Sequence, residues 1–140
     1  MKYHFLENIA VADVAFDAYG KNPAEVFENC ALALFDIMCT ISKIKPTIQR
    51  EITVESTTLK QLLYDFLEEL IFIKDTEQML FSKFDVHLEN ETKLKVVAHG
   101  DSIKNIPPEE LRNDAKAITL HQFELVKEKS GWRARVIVDI

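Results

Sequence analysis

Apolar residues recur at three- and four-residue steps after Asn22, and this spacing predicts an amphipathic helix. Asn22 can act as the N-cap, Pro23 suits the first helical position, and Glu25 stands in capping-box spacing. The stripe continues through phenylalanine, leucine and methionine side chains, so we expect the helix to run to about Ser42. Burial of each large side chain in such a stripe stabilises a fold by roughly 1.5–3 kcal/mol before conformational entropy is deducted.

A second amphipathic helix is predicted to begin near Ser56–Thr58, whose hydroxyls can cap its first turn. Leucines and Phe66 form its apolar stripe. The run Leu70–Ile73 is apolar on every side, which predicts that the end of this helix is buried. The adjacent acids Glu68–Glu69 fall outside the stripe, and a solvated helix edge is their simplest interpretation.

The other regular segments alternate between apolar and polar residues with a period of two, which predicts strands. The predicted strands are Lys2–Leu6, Val14–Tyr19, Ile48–Val54, the two arms of a hairpin around Glu89–Thr92, Ala117–Val126 and Trp132–Val138. The order β-β-α-β-α-β-β-β-β predicts an α+β fold in two layers. In this fold two long helices pack on a mostly antiparallel sheet.

The overall composition is that of an ordinary globular protein, and we expect a single domain over residues 1–140. The formal net charge is −6, from 17 basic and 23 acidic residues, and the basic residues are scattered. Tight phosphate binding needs clustered lysines and arginines, so strong direct binding to nucleic acid is not expected. No apolar run approaches the ~20 residues that span a bilayer, and the N-terminus does not resemble a signal peptide. We therefore expect a cytoplasmic protein with no membrane partner.

The sequence lacks the motifs of nucleophilic, nucleotide-binding and structural zinc sites. Cys30 and Cys39 lie about 13–14 Å apart along one predicted helix, so buried free thiols are expected rather than a disulfide. Among four widely spaced histidines, His121 in the segment KAITLH has the most functional promise. A hydrogen-bonded strand histidine is nevertheless the commoner case. We predict no catalytic residue and no organic cofactor site.

Acidic residues near the two ends of the chain suggest a metal site. Asp13 directly precedes a predicted strand, where an aspartate most often forms a turn by bonding backbone amides. The last strand runs into Asp139–Ile140 without a polar tail, which would bring the Asp139 side chain close to the α-carboxylate of Ile140. Converging carboxylates repel one another unless a cation lies among them, and Asp13 could complete the cluster. Oxygen ligands of this kind favour Ca²⁺ or Mg²⁺ over zinc or copper.

Five segments, spread over nearly the whole chain, carry a resemblance to a known family. They are Asp13 with the strand and YGK that follow it, FENCALALFDIM (27–38), LLYDFLEELIFIKDTEQMLFSKFDV (62–86), AKAITLHQFEL (115–125) and WRARVIVDI (132–140). With these segments the chain resembles the archease family. The resemblance implies strand–helix–strand–strand modules, one set within the other.

The resemblance also implies a function. Archeases are accessory proteins of the RtcB-type RNA ligase, which seals tRNA halves after intron removal. They promote guanylylation of the ligase, restore its turnover and broaden its use of nucleotides beyond GTP, with no settled catalytic activity of their own. The family binds a divalent metal, and the motifs carry its ligands over to Asp13, Asp139 and Ile140. We therefore expect a non-enzymatic ligase activator that binds Ca²⁺, with Mg²⁺ as the alternative.

Two other functions stay open on the sequence alone. A metal-dependent phosphoester hydrolase would need a water-activating base, for which the sequence offers Glu69 and His121 without a tight motif. A general protein chaperone would suppress the aggregation of many clients without any need for Asp13. The chain also departs from many archeases, which carry His-Thr-Ala-Asp where it has Ala10–Val11–Ala12–Asp13. The aspartate is kept, and the two polar side chains that could support it are missing.

Overall fold

A computed structural model describes residues 1–7 and 12–140 of the chain. These described ranges contain two α-helices and seven strands in the predicted order, joined in places by single turns of 3₁₀ helix. The helices are α1 (Pro23–Met38) and α2 (Leu59–Glu77). The strands are β1 (Tyr3–Leu6), β2 (Asp13–Gly20), β3 (Ile48–Glu55), β4 (Met79–Asn90), β5 (Lys93–Ser102), β6 (Ala117–Glu128) and β7 (Gly131–Asp139).

The strands pair in antiparallel fashion and form two sheets. Four strands lie in the order β1-β2-β7-β6, and three lie in the order β3-β5-β4. The predicted α+β class, with two helices packed on antiparallel strands, is confirmed. The division into two sheets follows from α1, which is buried on nearly every side and packs against both β2 and β4. A helix that is apolar all round needs a partner layer on each side.

Both helices begin at the caps that the sequence predicts. Asn22 Oδ1 accepts a hydrogen bond from the Glu25 main-chain N–H at 3.0 Å, and Pro23 follows as the first helical residue. In α2, Thr58 Oγ1 accepts from the Gln61 main-chain N–H at 3.1 Å. Each bond satisfies one of the free N–H groups of a first helical turn.

The first helix ends at Met38, earlier than the expected Ser42. A distant segment of the chain crosses its last turn: the main-chain N–H of Arg112 donates to Met38 O at 2.8 Å, and that of Asn113 donates to Ile37 O at 3.3 Å. These bonds satisfy carbonyls that the end of a helix otherwise leaves free. Local sequence spacing carries no information about a partner that lies more than 70 residues away.

The end of α2 is buried as predicted, with one exception. Leu70, Ile71 and Ile73 lie in the core, whereas the Phe72 side chain is 59% exposed. Lys74, which directly follows the run Leu70–Ile73, is buried. The prediction from the apolar run is therefore wrong at Phe72, which is exposed. The charged residue after the run, Lys74, is buried instead.

The core lies between the two sheets and around both helices. Its largest fully buried side chains are aromatic or leucine residues, among them Phe16, Phe27, Phe35, Phe66 and Phe81. Cys30 and Cys39 are buried free thiols, as the sequence predicts, and burial raises the pKa of Cys30. No helix within the described ranges has both the length and the apolar character needed to span a membrane.

Candidate metal site

Asp13 and Asp139 are directly opposed across two neighbouring strands. Asp13 is the first residue of β2, Asp139 is the last residue of β7, and the two are register partners. Their neighbours Val14 and Val138 pack in the core, so strand alternation places both aspartates on the opposite, outer face of the sheet. Opposed residues of an antiparallel pair have Cβ atoms about 4.5–5.5 Å apart, so two carboxylates in this register can bind a single ion.

The third predicted ligand residue lies at the same edge. The main-chain N–H of Ile140 donates to Ala12 O at 2.9 Å, and the main-chain N–H of Lys116 donates to Asp139 O at 2.8 Å. Ile140 is half-buried and packs against the core. The fold thus brings Asp13, Asp139 and Ile140 together through hydrogen bonds on both sides of β7.

The edge of the sheet that carries Asp13 also faces the end of α1. Val14, the residue after Asp13, lines a shallow pocket together with Ile37 and Asn113. On this inner side the last carbonyls of α1 are already bonded by main-chain N–H groups, and Arg112 lines the same pocket, so the helix end adds little negative charge there. The two opposed carboxylates of Asp13 and Asp139 lower the electrostatic potential on the outer face of this edge, which favours a cation over an anion.

The chemistry of the donor set fits a hard, oxygen-bound cation. In the described ranges, no three His, Cys, Asp or Glu side chains are grouped so that they could hold a metal, and the side chains that this edge offers are the two opposed carboxylates of Asp13 and Asp139. A cation bound here would complete its coordination with Ile140 and water, since Ca²⁺ and Mg²⁺ commonly take main-chain and water oxygens as ligands. Thr119 adds a further oxygen on the same face, because it pairs with Ile137 and lies two residues after Ala117, the partner of Asp139. Its Oγ1 atom is buried and has no hydrogen-bond partner among the described residues.

The histidines do not gather at this edge. His4 Nδ1 lies 2.9 Å from the Tyr19 hydroxyl, and His99 Nε2 lies 2.8 Å from Asp85 Oδ2. His121 is exposed in an irregular part of β6. Within the part of the chain that the structure describes, no hydrogen bond or ion pair joins His121 to any residue, so the base proposed for a hydrolase has no orienting partner.

Glu68, the first residue of the acidic pair of α2, has a role that the sequence does not reveal. Glu68 Oε1 accepts a hydrogen bond from the Ile118 main-chain N–H at 2.9 Å. Glu68 thereby satisfies one main-chain N–H group on the unpaired edge of β6, so its carboxylate is bound to protein rather than solvated. Glu68 lies four residues after Tyr64, on the same face of α2, and Tyr64 contacts Phe123 of β6. That spacing is the sequence signal that could have indicated a contact between Glu68 and β6. The departure at Ala10–Val11 lies outside the described residues.

Comparisons with known proteins identify the family. The profile of the Archease protein family (MTH1598/TM1083) matches residues 3–140. The chain is 38% identical to the protein archease of Methanosarcina mazei over 144 residues, covering 99% of this chain and 96% of that protein. It is 42% identical to the protein archease of Methanothermobacter thermautotrophicus over 132 residues, covering 92% and 93% of the two chains.

Solved structures agree with this assignment. The solution structure of protein 1598 from Methanobacterium thermoautotrophicum is 39% identical in sequence, with a TM-score of 0.84 and 99% of both chains covered. The crystal structure of an archease, described as a possible chaperone, from Thermotoga maritima has a TM-score of 0.69 over 98% of both chains. At 18% identity, that second likeness speaks for the fold alone. The chain, matched along nearly its whole length by the family profile and by close relatives, belongs to the archease family.

Proposed function

We propose that this protein is a non-enzymatic accessory protein that activates an RtcB-type tRNA-splicing RNA ligase. It promotes guanylylation and turnover of the ligase and alters its NTP specificity. Membership of the archease family supports the proposal. The observation that carries it is the register of Asp13 opposite Asp139, because it supplies the acidic edge on which the activation would depend.

The proposal includes a divalent cation, Ca²⁺ in the first place and Mg²⁺ as the alternative. Asp13, Asp139 and the carboxylate of Ile140 would hold it. When bound, such a cation supplies positive charge that can stabilise a phosphoryl group during transfer. The chain itself contributes rigidity: Asp13 and Asp139 stand on paired strands, and the Lys116–Asp139 and Ile140–Ala12 hydrogen bonds fix the end of β7.

The charge of the protein suits the proposed partner. The net charge is −6, and the candidate metal edge is itself acidic. A ligase that handles RNA and nucleotide needs a basic cleft, and opposite potentials on two partners speed their encounter and fix their orientation. The same acidity argues against direct RNA binding as the main role.

The metal site can be tested by calorimetric titration of the purified protein with CaCl₂ and MgCl₂. Asp13→Asn and Asp139→Asn keep the side-chain shape and remove one charge each, and each is expected to weaken Ca²⁺ binding by about tenfold or more. Glu51→Gln, at an exposed position of β3, is the matched control and should bind like the wild type. Unchanged Ca²⁺ affinity in both aspartate variants would remove these residues from the proposed site.

The activation itself can be tested by a guanylylation time course of a purified RtcB-type ligase, with and without this protein. We expect faster guanylylation with the wild type and little stimulation by Asp139→Ala, with circular dichroism showing that the variant is folded. Full stimulation by the folded variant would exclude Asp139 from the mechanism. No stimulation by the wild type would overturn the proposed function.

A chaperone is the second candidate, since the Thermotoga relative is described as a possible one. This candidate predicts suppression of aggregation for unrelated client proteins. It also predicts that Asp13→Asn and Asp139→Asn suppress aggregation as well as the wild type does. Light scattering of a heated client, in the presence of each variant, separates it from ligase activation.

A further inference from the structure

Two large apolar side chains are exposed along the contact between α2 and β6, which we call the α2–β6 seam (Glu68, Phe72, Ile118 and Leu120). Phe72 is 59% exposed and Leu120 is 67% exposed. They flank one hydrogen bond, from the Ile118 main-chain N–H to Glu68 Oε1. Phe72 lies one helical turn beyond Glu68, on the same face of α2, and Leu120 lies two residues beyond Ile118. Tyr64 contacts Phe123 and Lys74 bonds Ala115, so α2 and the segment 114–123 run in opposite directions, and Phe72 and Leu120 lie on opposite sides of the Glu68–Ile118 bond along the seam.

Leu120 is presented by an irregular segment of β6. The pairing of β6 with β7 passes from Thr119–Ile137 directly to Glu124–Arg135, so the four residues 120–123 stand opposite a single residue of β7. Gln122 has a φ of 54°, in the left-handed region that costs a non-glycine residue on the order of 1 kcal/mol. Bulges of this kind often redirect a side chain next to a functional site.

The segment is anchored to the core rather than loose. Phe123, at its end, is 4% exposed, and its ring meets that of Tyr64 edge-on at a centroid distance of 5.7 Å. The Ile118 hydrogen bond to Glu68 holds the other side of the segment. Leu120 thus projects from a fixed base, which lowers the entropy that a partner must remove on binding.

The free edge of β6 offers little to an added strand. Glu68 already occupies the Ile118 N–H, and the irregular segment 120–123 interrupts the run of main-chain groups that strand addition requires. A partner at the seam would therefore be bound through side chains. Exposed aromatic and aliphatic side chains are the usual anchors of such interfaces.

The helix around Phe72 is acidic. Along α2 five carboxylate side chains stand against two lysines. Asp75 is paired with Lys74 and Glu77 with Arg50, which leaves Asp65, Glu68 and Glu69 without a basic partner among the described residues. The seam is also continuous with the candidate metal edge, since Ala117, the residue before Ile118, pairs with Asp139. An apolar anchor within an acidic surface complements an apolar pocket surrounded by lysines and arginines.

We propose that the α2–β6 seam is a docking surface for a basic, RNA-handling protein partner that receives Phe72 and Leu120 in apolar pockets. The inference rests on the proposed function, under which that partner is the RNA ligase. It adds which surface meets the partner and which two side chains anchor it. Docking here would leave the Asp13–Asp139 edge beside the contact, at the start of β6.

The test compares Phe72→Ala, Leu120→Ala and the double variant with the wild type in binding to a purified RtcB-type ligase. Val97→Ala, on β5 in the other sheet, is the matched control. We expect each single variant to weaken ligase binding by about 5- to 30-fold and the double variant by more. Binding of the wild type should also weaken as NaCl is raised, because salt screens the acidic surface. Ca²⁺ affinity and thermal stability should stay near wild-type values, since both side chains are exposed.

The outcomes separate this inference from the function on which it rests. If the double variant binds the ligase as tightly as the wild type, the α2–β6 seam is not the docking surface. If the wild type still stimulates guanylylation in that case, the proposed function is unaffected. Sedimentation velocity tests whether a second copy of this chain binds at the seam instead. If the wild type is a dimer, the double variant is a monomer and ligase binding is unchanged, the seam is a dimer interface and the proposal is wrong. A wild-type protein that neither binds nor stimulates the ligase overturns both.

Discussion

Asp17 and Arg135 form a two-bond ion pair on the outer face of the four-stranded sheet. Arg135 Nε donates to Asp17 Oδ1 at 2.8 Å, and Nη2 donates to Oδ2 at 2.9 Å. The Asp17 side chain is only 5% exposed, and its hydrogen bonds raise the pKa of Arg135. Arg133 stands farther off, with Nη1 3.9 Å from Asp17 Oδ1. The pair ties together β2 and β7, the two strands that end in Asp13 and Asp139.

Replacing Arg135 with methionine is expected to lower the free energy of unfolding by about 2–3 kcal/mol, because it leaves the buried Asp17 carboxylate with only the more distant Arg133. The measurement is urea unfolding at neutral pH. Arg50→Met is the control, since Arg50 and its partner Glu77 have side chains that are 40% and 38% exposed. An exposed pair of that kind contributes at most about 1 kcal/mol. Equal losses of unfolding free energy in Arg135→Met and Arg50→Met would contradict the claim that the buried Asp17 carboxylate makes its ion pair the more important one.

Lys74 is a buried lysine that ties α2 to the segment leading into β6. Its Nζ donates to Asp114 Oδ1 at 2.5 Å and to Ala115 O at 3.0 Å. Burial lowers the pKa of Lys74, but the bonds to Asp114 and Asp75 outweigh it and raise the pKa above its ordinary value. Lys116, the residue after Ala115, donates its main-chain N–H to Asp139 O.

We expect Lys74→Met to destabilise the protein by about 1–3 kcal/mol, because it leaves the Ala115 carbonyl without its partner. Amide hydrogen exchange should become faster at Lys116, whose bond to Asp139 depends on the position of this segment. Lys60→Met, at an exposed site on the same helix, serves as the control and should change neither quantity. Protection at Lys116 equal to that of the wild type would show that Lys74 does not hold the segment.

The order of helices and strands could be predicted because each depends on neighbours in sequence. The caps at Asn22 and Thr58, and the stripes that follow them, are local signals, and both helices begin where these signals indicate. The sequence also marked Asp13 and Asp139 as residues at strand ends. The register that opposes them across two strands is a property of the sheet, and it joins residues 126 positions apart.

Contacts between distant side chains could not be predicted in the same way. Glu68 appeared to be a solvated acid, yet it binds a main-chain N–H at Ile118. Within and just after the apolar run Leu70–Ile73, Phe72 is exposed while Lys74 is buried. In each case the outcome depends on where the segment before β6 crosses α2, and no local spacing encodes that path.

Tyr3 gives the protein a specific sensitivity to alkaline pH. Its hydroxyl donates to Asp36 Oδ2 at 3.0 Å, and burial together with the Asp36 charge raises the pKa of Tyr3 to about 12. An unfolded tyrosine titrates near pH 10, so the raised pKa contributes stability that is fully present below about that pH. This contribution is lost as the pH rises towards 12.

Tyr3→Phe is therefore expected to reduce stability at neutral pH and to flatten the decline of stability above about pH 10. Urea unfolding at a series of pH values measures both effects. Asp36→Asn tests the cause, because removing that charge should bring the pKa of Tyr3 down, as seen in the ultraviolet titration of phenolate. Parallel stability curves for the wild type and Tyr3→Phe would mean that Tyr3 does not titrate as described.

Thr119 carries a buried hydroxyl that has no hydrogen-bond partner among the described residues. Such an unpaired group costs about 1–3 kcal/mol, so Thr119→Val, which replaces the hydroxyl with a methyl group of similar size, should stabilise the metal-free protein by about 1 kcal/mol. Both side chains are β-branched, so strand propensity changes little. Thermal unfolding in EDTA measures the effect, and Thr53→Val, at an exposed strand position, should leave the melting temperature unchanged. A Thr119→Val protein less stable than the wild type would mean that the hydroxyl is hydrogen-bonded in solution.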